Sequence, residues 1–331
     1  MIKSVMKRAK TQQGEKIPVG ISQCLLGDKV RYNGEHKRSN FCTEVLSQYF
    51  DFESYCPEVA IGMGIPRKPI RLVQTAVSDD HPIEALGVDD PSLNPSSALR
   101  DYAHKTTKAL DHLRGYILMQ KSPSCGMERV TVYHPNGNPL HHKGVGLYAE
   151  VLQNECPLLP IEEAGRLNDP GLRENFIARV YAYDRWKNLE DSLTPKALLD
   201  FYSDYKYLIM AHDSQAYHSI GNLLSNMKAR PLNDIAHDFI HLLMDTLKKP
   251  ATRKTNTNVL MHIQGYFKKS LNSDEKQELS QVIDQYRVGS IPLIAPVILL
   301  QHLLRKHPND YLERQAFLRP YPEALGLRNA V

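Results

Sequence analysis

The N-terminal half of the sequence alternates short β-rich runs with helix-like segments, and this alternation restricts the fold more than any other feature. Strand-like runs occur at residues 17–22 (IPVGIS), 52–55 (FESY), 71–77 (RLVQTAV) and 115–119 (GYILM), and helix-like segments at 41–50 and 97–113. Strands that alternate with helices predict an α/β fold with a mostly parallel sheet. Because such a sheet gathers the carboxyl ends of its strands at one edge, side chains that follow different strands are expected to meet there.

Three of the five cysteines follow the ends of predicted strands by one to six residues. They are Cys24, Cys56 and Cys125, and the edge of a parallel sheet is where open α/β folds bind their ligands. The other two differ, because Cys42 lies in a helix-like run and Cys156 precedes the turn PLLP. We interpret these two as structural thiols. The sequence therefore predicts that three thiols converge at the ligand-binding edge of the sheet.

Three converging thiols are suited to a metal centre with an open coordination position. Structural zinc sites usually show close Cys-x-x-Cys pairs and four ligands, and none of the five cysteines forms such a pair. Iron-sulfur clusters are also bound by thiolates, normally four of them. Three cysteines would leave one iron without a protein ligand, which is where substrate chemistry takes place. Zinc remains an alternative at this point.

Polar residues beside these cysteines can supply the remaining chemistry. Glu58 follows Cys56 by two residues and can act as a general acid or base. Ser122 and Ser124 precede Cys125, and either hydroxyl can orient a water molecule or a substrate oxygen. The ordinary alternative is a salt-bridged carboxylate and two turn-forming serines. The segment IPRKPIR adds three basic side chains that can pair with phosphate, namely Arg67, Lys68 and Arg71.

The C-terminal half has a nearly continuous helical pattern, and a chain of 331 residues is long enough for two domains. We predict a flexible tail over residues 1–16, an α/β domain over 17–160, a helical connector over 161–188 and an all-α domain over 189–331. The odd cysteine number argues against a disulfide scaffold. No stretch of 18 apolar residues occurs, and no signal peptide is recognisable, so we expect a cytoplasmic protein without a membrane partner.

Residues 246–273 carry six basic side chains and no Asp or Glu. The basic residues are Lys248, Lys249, Arg253, Lys254, Lys268 and Lys269. A segment with charge of one sign can bind a polyanion, or it can be an ordinary solvated face. Tyr266 and Phe267 lie within it and are candidates for stacking on bases. The helical domain is thus a candidate RNA-binding domain.

Three separate motifs resemble the thiouracil desulfidase family over about residues 17–160. They are GISQCLLGDKVRYNG, YCPEVAIGMGIPRKPIRLV and KSPSCGMERVTVY. The helical half resembles a second domain that often follows the first, and chains with this fusion resemble bacterial enzymes that remove sulfur from 4-thiouridine in tRNA. The resemblance implies a 4Fe-4S cluster bound by Cys24, Cys56 and Cys125. It also implies a catalytic carboxylate at Glu58 and a catalytic serine at Ser122, with Ser124 as the alternative.

The activity implied by the resemblance is hydrolysis of a C–S bond, giving uridine and hydrosulfide without net redox change. The implied partner is tRNA, bound by the helical domain, and no DNA partner is expected. One alternative is a desulfidase of free thiouracil or its nucleosides. Another is a non-catalytic RNA-binding module that carries a cluster. The sequence leaves the oligomeric state open.

Overall fold

The computed structural model describes residues 15–75 and 83–329 and divides the chain into two compact units. The first unit ends at Asn168 and the second begins at Asp169. The predicted tail, residues 1–16, lies almost wholly outside the described residues. The predicted connector, residues 161–188, is divided between the units, because its first residues form a strand of the first unit and the others begin a long helix of the second.

The first unit contains eight strands and three α-helices among its described residues. The strands are β1 (Ile17–Ser22), β2 (Phe50–Tyr55), β3 (Ile70–Gln74), β4 (Ile83–Gly87), β5 (Gly115–Leu118), β6 (Val130–Tyr133), β7 (Pro139–Gly144) and β8 (Ile161–Glu163). The helices are α1 (Pro57–Ala60), α2 (Ser96–Thr107) and α3 (Leu147–Glu155). Short 3-10 or π turns occur at Gln23–Leu26, Phe41–Val45, Leu46–Gln48 and Arg166–Asn168.

One sheet is entirely parallel and has the strand order β2-β1-β5-β8. The central strand β1 pairs with β2 and β5, and its side chains Val19 and Ile21 are fully buried. Burial along a whole strand is typical of parallel sheets that are covered on both faces. The predicted α/β fold with a mostly parallel sheet is therefore confirmed.

A second sheet, with the order β4-β3-β6-β7, is mixed. Strands β3 and β6 run parallel, whereas the β3–β4 and β6–β7 pairs are antiparallel. Leu72, Val132, Leu99 and Leu147 join this sheet to α2 and α3 in one buried cluster. The strand predicted at residues 71–77 lies here as β3, which ends at Gln74, and not in the parallel sheet. No second sheet was predicted from the sequence, although the Asn136-Gly137 pair between β6 and β7 is a common hairpin signal.

Two helix-like segments of the first unit are shorter or less regular than predicted. Residues 41–50 form a π turn and a 3-10 turn, because Phe50 already pairs with Ile17 as the first residue of β2. Helix α2 ends at Thr107 and not at residue 113. The residues after it form turns that bury Leu110 and Leu113 and return the chain to β5.

The second unit is mostly helical and contains no strand among its described residues, which confirms the all-α prediction. Its α-helices are α4 (Pro170–Glu190), α5 (Pro195–His212), α6 (Ser214–Ser225), α7 (Leu232–Lys248), α8 (Arg253–Tyr266), α9 (Ser273–Val288), α10 (Ile294–Lys306) and α11 (Asp310–Glu313). Asp169 and Thr194 cap α4 and α5, and each accepts a backbone N–H of the first turn. Trp186, Phe201 and Phe239 form the aromatic centre of its core. No described helix is long and apolar enough to cross a bilayer.

Candidate active site

A cavity of about 570 Å³ lies where β1, β2 and β5 of the parallel sheet end. All of its lining residues belong to the first unit and fall between Ser22 and Cys125. Cys24, Cys56 and Cys125 are among them, so the structure brings together the three thiols that the sequence placed after strand ends. The thiols converge because each follows one of three neighbouring parallel strands, in the order β2-β1-β5, whose carboxyl ends lie at the same edge of the sheet.

All three thiols have a raised pKa in the absence of a metal. Burial raises the pKa of Cys24 to about 11, and the neighbouring Cys56 adds to this shift. Burial also raises the pKa of Cys56 and of Cys125, and Glu58 contributes in the same direction at both. Ser22, at the end of β1, hydrogen-bonds to Cys125 and opposes the shift there. A cation bound among these groups would reverse the balance, because it stabilises the thiolate.

The donor set of this cavity fits an iron-sulfur cluster. Three sulfur atoms with no imidazole among the lining residues make a soft ligand environment, which suits thiolate-bound iron. Within residues 15–75 and 83–329, no three His, Cys, Asp or Glu side chains lie close enough together to bind one metal ion. A single zinc ion bound by three of these side chains is therefore disfavoured, whereas an iron-sulfur cluster contains several metal ions and is larger than one ion.

Glu58 lies in α1, immediately after β2, and its side chain is 12% exposed. Nε and Nη2 of Arg67 both lie 2.7 Å from its Oε2 atom. The other carboxylate oxygen, Oε1, accepts a 2.6 Å hydrogen bond from the hydroxyl of Ser124. Glu58 is therefore fixed from both sides at the wall of the cavity.

The two serines form a hydrogen-bonded chain that ends on Glu58. Their Oγ atoms are 3.0 Å apart. A hydroxyl has one proton, and the proton of Ser124 is donated to Glu58, so Ser122 is the donor in the contact between the serines. Ser122 Oγ also accepts the backbone N–H groups of Ser124 and Cys125 at 3.2 and 3.1 Å. The order of donation is thus Ser122 to Ser124 to Glu58.

The loop that carries these serines and Cys125 is held by the first turn of α3. Backbone N–H groups of Leu147 and Tyr148 donate to the carbonyls of Pro123 and Ser124, each at 3.0 Å. Gly146 allows this approach, since a Cβ atom there would lie 2.6 Å from the carbonyl carbon and oxygen of Ser124. The turn that the sequence showed as KSPSCG is therefore fixed by its backbone and is not a free surface loop.

The cavity lies in a part of the chain that matches a known family. Residues 19–164 match the family model described as 2-thiouracil desulfurase, and residues 206–322 match that of a protein of unknown function, DUF1722. The uncharacterized protein YbgA of Escherichia coli (strain K12) is 33% identical over 159 residues, which are 47% of this chain and 94% of YbgA. The chain belongs to the family of YbgA and contains a 2-thiouracil desulfurase domain. The resemblance drawn from the three motifs is thereby confirmed.

The chain is also similar to a solved structure, the 4Fe-4S-dependent thiouracil desulfidase TudS. The two are 24% identical, and the match covers 48% of this chain and 97% of that one with a TM-score of 0.36.

The three basic residues predicted to bind phosphate are separated in the desulfurase domain. Arg67 lines the cavity, but its guanidinium is engaged by Glu58. Lys68 is exposed and pairs with Asp90 at 3.4 Å. Arg71 lies over the ring of Tyr133, 5.2 Å from its centroid. Pro69 and Ile70 line the cavity, whereas Lys68 and Arg71 are not among its described lining residues.

The sequence interpretation missed several side chains at the cavity. Arg31, Tyr32 and Lys37 line it from the loop after Cys24, and Lys121 lines it from the residue before Ser122. Lys121 has a left-handed backbone conformation with φ of 58°. The available signal was the density of basic residues in GDKVRYNGEHK, directly after a strand-end cysteine.

The remaining two cysteines lie outside the cavity lining. Cys42 is fully buried in the π turn, and Cys156 ends α3. Burial raises the pKa of each to about 11, as expected for thiols without a cationic partner.

The basic segment of the DUF1722 region is partly engaged in contacts within the second unit. Lys248 pairs with Asp245 at 2.8 Å, and Lys249 pairs with Asp213 at 2.6 Å. Nη1 of Arg253 donates to the Tyr286 carbonyl. The exposed cations of the segment include Lys254, Lys268 and Lys269. Of the two aromatic residues, Tyr266 is 47% exposed, whereas Phe267 is buried and is not available to a base.

Proposed function

We propose that this protein removes sulfur from 4-thiouridine in tRNA, giving uridine and hydrosulfide, with a 4Fe-4S cluster bound by Cys24, Cys56 and Cys125. The observation that carries the proposal is the convergence of three thiols and the Ser122–Ser124–Glu58 chain in one cavity of a 2-thiouracil desulfurase domain. A structural cluster has no need of an oriented carboxylate and hydroxyl beside it, whereas a hydrolytic reaction needs both.

The reaction replaces a C=S bond by a C=O bond and uses one water molecule. When bound, the cluster supplies an open iron with affinity for the soft thiocarbonyl sulfur, which makes the ring carbon more electrophilic. Water attacks this carbon, and Glu58 accepts its proton, directly or through Ser124 and Ser122. The C–S bond then breaks, the second proton of the attacking water passes to the sulfur, which leaves as hydrosulfide, and Glu58 releases the first proton to solvent. No electrons are gained or lost by the substrate.

The tRNA part of the proposal is supported by the second unit. Lys254, Lys268 and Lys269 are exposed in a stretch of 28 residues without an acidic side chain. Cations in such a stretch attract a phosphate backbone, and Tyr266, whose ring stacks on that of Tyr311, is still 47% exposed for contact with a base. A base in folded tRNA must also leave its stack to reach a buried site.

The catalytic test uses protein whose cluster has been reconstituted without oxygen. It is incubated with bulk tRNA containing 4-thiouridine, and loss of the near-ultraviolet absorbance of the thionucleoside is followed. Wild type should remove the signal and release hydrosulfide, whereas Cys125→Ala should not. A cluster-bearing wild type that leaves every thiolated substrate intact would exclude the enzyme function.

Free thiouracil is the second candidate substrate, because the lining of the cavity comes entirely from the first unit. A chain that consumes free thiouracil and leaves tRNA unchanged would support this alternative. Gel retardation of tRNA by the protein at several salt concentrations further distinguishes a tRNA substrate from free thiouracil. Replacing Lys254, Lys268 and Lys269 by Ser should weaken the salt dependence of tRNA binding. The slope of the logarithm of the binding constant against the logarithm of the salt concentration should fall by roughly one for each lost phosphate contact. The matched control replaces Lys196, Lys276 and Arg305, which are exposed in the same unit.

A further inference from the structure

Arg67 is engaged by the protein itself. Its Nε and Nη2 atoms contact Oε2 of Glu58, and its Nη1 donates to the carbonyls of Val30 at 2.8 Å and Gly64 at 3.2 Å. These contacts occupy four of the five N–H groups of the guanidinium, and the side chain is only 5% exposed. A phosphate group would have to displace them to bind here.

The pattern of contacts gives the two oxygens of Glu58 different surroundings. Both nitrogen contacts from Arg67 fall on Oε2, and Oε1 is left for the hydroxyl of Ser124. The terminal torsion of a glutamate is broad when nothing fixes it. The guanidinium therefore selects the one rotation of the carboxylate in which Oε1 meets the Ser124–Ser122 chain.

Arg67 also joins the segments that carry two of the three cysteines. Its backbone N–H donates to the Tyr32 carbonyl at 2.8 Å, in the loop that follows Cys24. The Val30 carbonyl that accepts from Nη1 also lies 3.9 Å from Sγ of Cys56. A change at Arg67 is therefore transmitted to the cavity wall as well as to Glu58.

We propose that Arg67 is a positioning residue for the desulfuration reaction and not a ligand of substrate phosphate. Arg67 holds the carboxylate of Glu58 in the orientation in which Oε1 accepts the hydrogen bond from Ser124. This inference rests on the proposed function. Arg67 acts on the reaction through Glu58, so its loss lowers the rate of the chemical step for every substrate alike, with or without a phosphate.

The kinetic test compares Arg67→Met and Arg67→Lys with wild type on 4-thiouracil and on 4-thiouridine 5′-monophosphate. Arg67→Met should lower kcat by about 10²-fold on both substrates and leave both KM values within about twofold, which is the size of loss expected when a catalytic group is displaced by about 1 Å. Arg67→Lys retains one cation near Oε2 and should recover part of kcat. The matched control is Arg38→Met, which removes an exposed pair with Glu44. A rise of KM for the monophosphate alone would overturn the proposal in favour of phosphate binding.

The same substitution is then made in a Glu58→Gln background. If Arg67 acts through Glu58, Arg67→Met should cost little further activity there, because the group that it positions has already been lost. A loss of about 10²-fold in both backgrounds would overturn the proposal. Iron content is measured for every variant, so that loss of the cluster is separated from misplacement of Glu58. If Arg67→Met does not fold, Arg67→Lys takes its place in each comparison.

A crystallographic measurement tests the role without any turnover. In metal-free wild type, Oε1 of Glu58 and Oγ of Ser124 should lie at hydrogen-bond distance, as they do here at 2.6 Å. In Arg67→Met the carboxylate should rotate and this contact should break; an unchanged contact would overturn the proposal. If the wild type proves inactive on every thiolated substrate, the proposed function fails, but this distance still decides whether Arg67 positions Glu58.

Discussion

The hydroxyl of Ser124 donates a 2.6 Å hydrogen bond to Oε1 of Glu58, which lies 66 positions away in the sequence. The two residues meet because α1 follows β2, the serine loop follows β5, and β1 pairs with both strands. Cys56 and Cys125 belong to the same two segments. The bond therefore couples the acid–base group of the site to the loop that carries a candidate cluster ligand.

Removing the hydroxyl of Ser124 should disable the site without unfolding the chain. Ser124→Ala deletes the donor to Glu58 and interrupts the path from Ser122, so we expect kcat to fall by about 10²-fold or more. Steady-state kinetics on 4-thiouracil measure the effect. Ser96→Ala is the matched control, since Ser96 is another buried serine whose hydroxyl, within the part of the chain that the structure describes, hydrogen-bonds to the backbone of Ala85. It should cost about 1 kcal/mol of stability and little activity. Equal losses of kcat in both variants would contradict the assignment.

Iron binding should divide the five cysteines into two groups. Replacement of Cys24, Cys56 or Cys125 by Ala removes a thiol from the cavity and should abolish most of the iron retained after anaerobic reconstitution. Cys42→Ala and Cys156→Ala should retain it, because both thiols lie outside the cavity lining. Iron and acid-labile sulfide per chain are the measurement. Loss of iron in the Cys42 or Cys156 variant, with the fold intact, would contradict the three-thiol assignment.

Gly146 should tolerate no side chain, although its backbone conformation is an ordinary extended one with φ of −65°. The Cβ atom of an alanine would lie 2.6 Å from the carbonyl group of Ser124 and 2.9 Å from the backbone nitrogen of Cys125. These are backbone atoms, which cannot move aside as the end of a flexible side chain can. Gly146→Ala should therefore lower the free energy of unfolding by about 1–3 kcal/mol and reduce iron retention. In Gly265→Ala, where no described atom beyond the chain neighbours and the adjoining helix backbone lies within 4 Å of the added Cβ, the helix should gain up to about 1 kcal/mol. Urea unfolding tests both, and a Gly146→Ala variant as stable as wild type would refute the steric argument.

The sequence allowed prediction of the convergence of thiols but not of the contacts within the site. Cys24, Cys56 and Cys125 could be placed together because the edge of a parallel sheet is a property of topology, which strand patterns predict. The pairing of Arg67 with Glu58 could not be predicted, since a basic residue near a ligand site is equally compatible with phosphate. Which residue it meets depends on the turn between α1 and β3. The second sheet was not predicted because its two antiparallel pairs, β3–β4 and β6–β7, are each local in the sequence, whereas the parallel β3–β6 pair that joins them brings Leu72 beside the distant Val132.

The helical unit should lose stability as the pH falls below the ordinary pKa of histidine, through His212. Its Nδ1 atom donates to the Lys249 carbonyl at 2.6 Å, which fixes the neutral tautomer. Burial lowers the pKa of His212 below 6.5, and the positive charge of Arg328 lowers it further. The hydrogen bond to the Lys249 carbonyl and the negative charge of Glu174 oppose this shift. Below pH 6.5 the unfolded chain binds a proton that the folded chain does not, so stability present above pH 6.5 is lost as the pH falls through the folded pKa.

The variant His212→Asn retains an N–H donor for Lys249 but cannot titrate in this range. The free energy of unfolding of the full chain is measured by urea at about pH 7.5 and about pH 5.5, on either side of the ordinary histidine pKa. Wild type should lose more stability between these values than the Asn variant, and the difference reports the proton that His212 takes up on unfolding. Identical losses in the two proteins would show that burial of His212 does not disfavour its charged form.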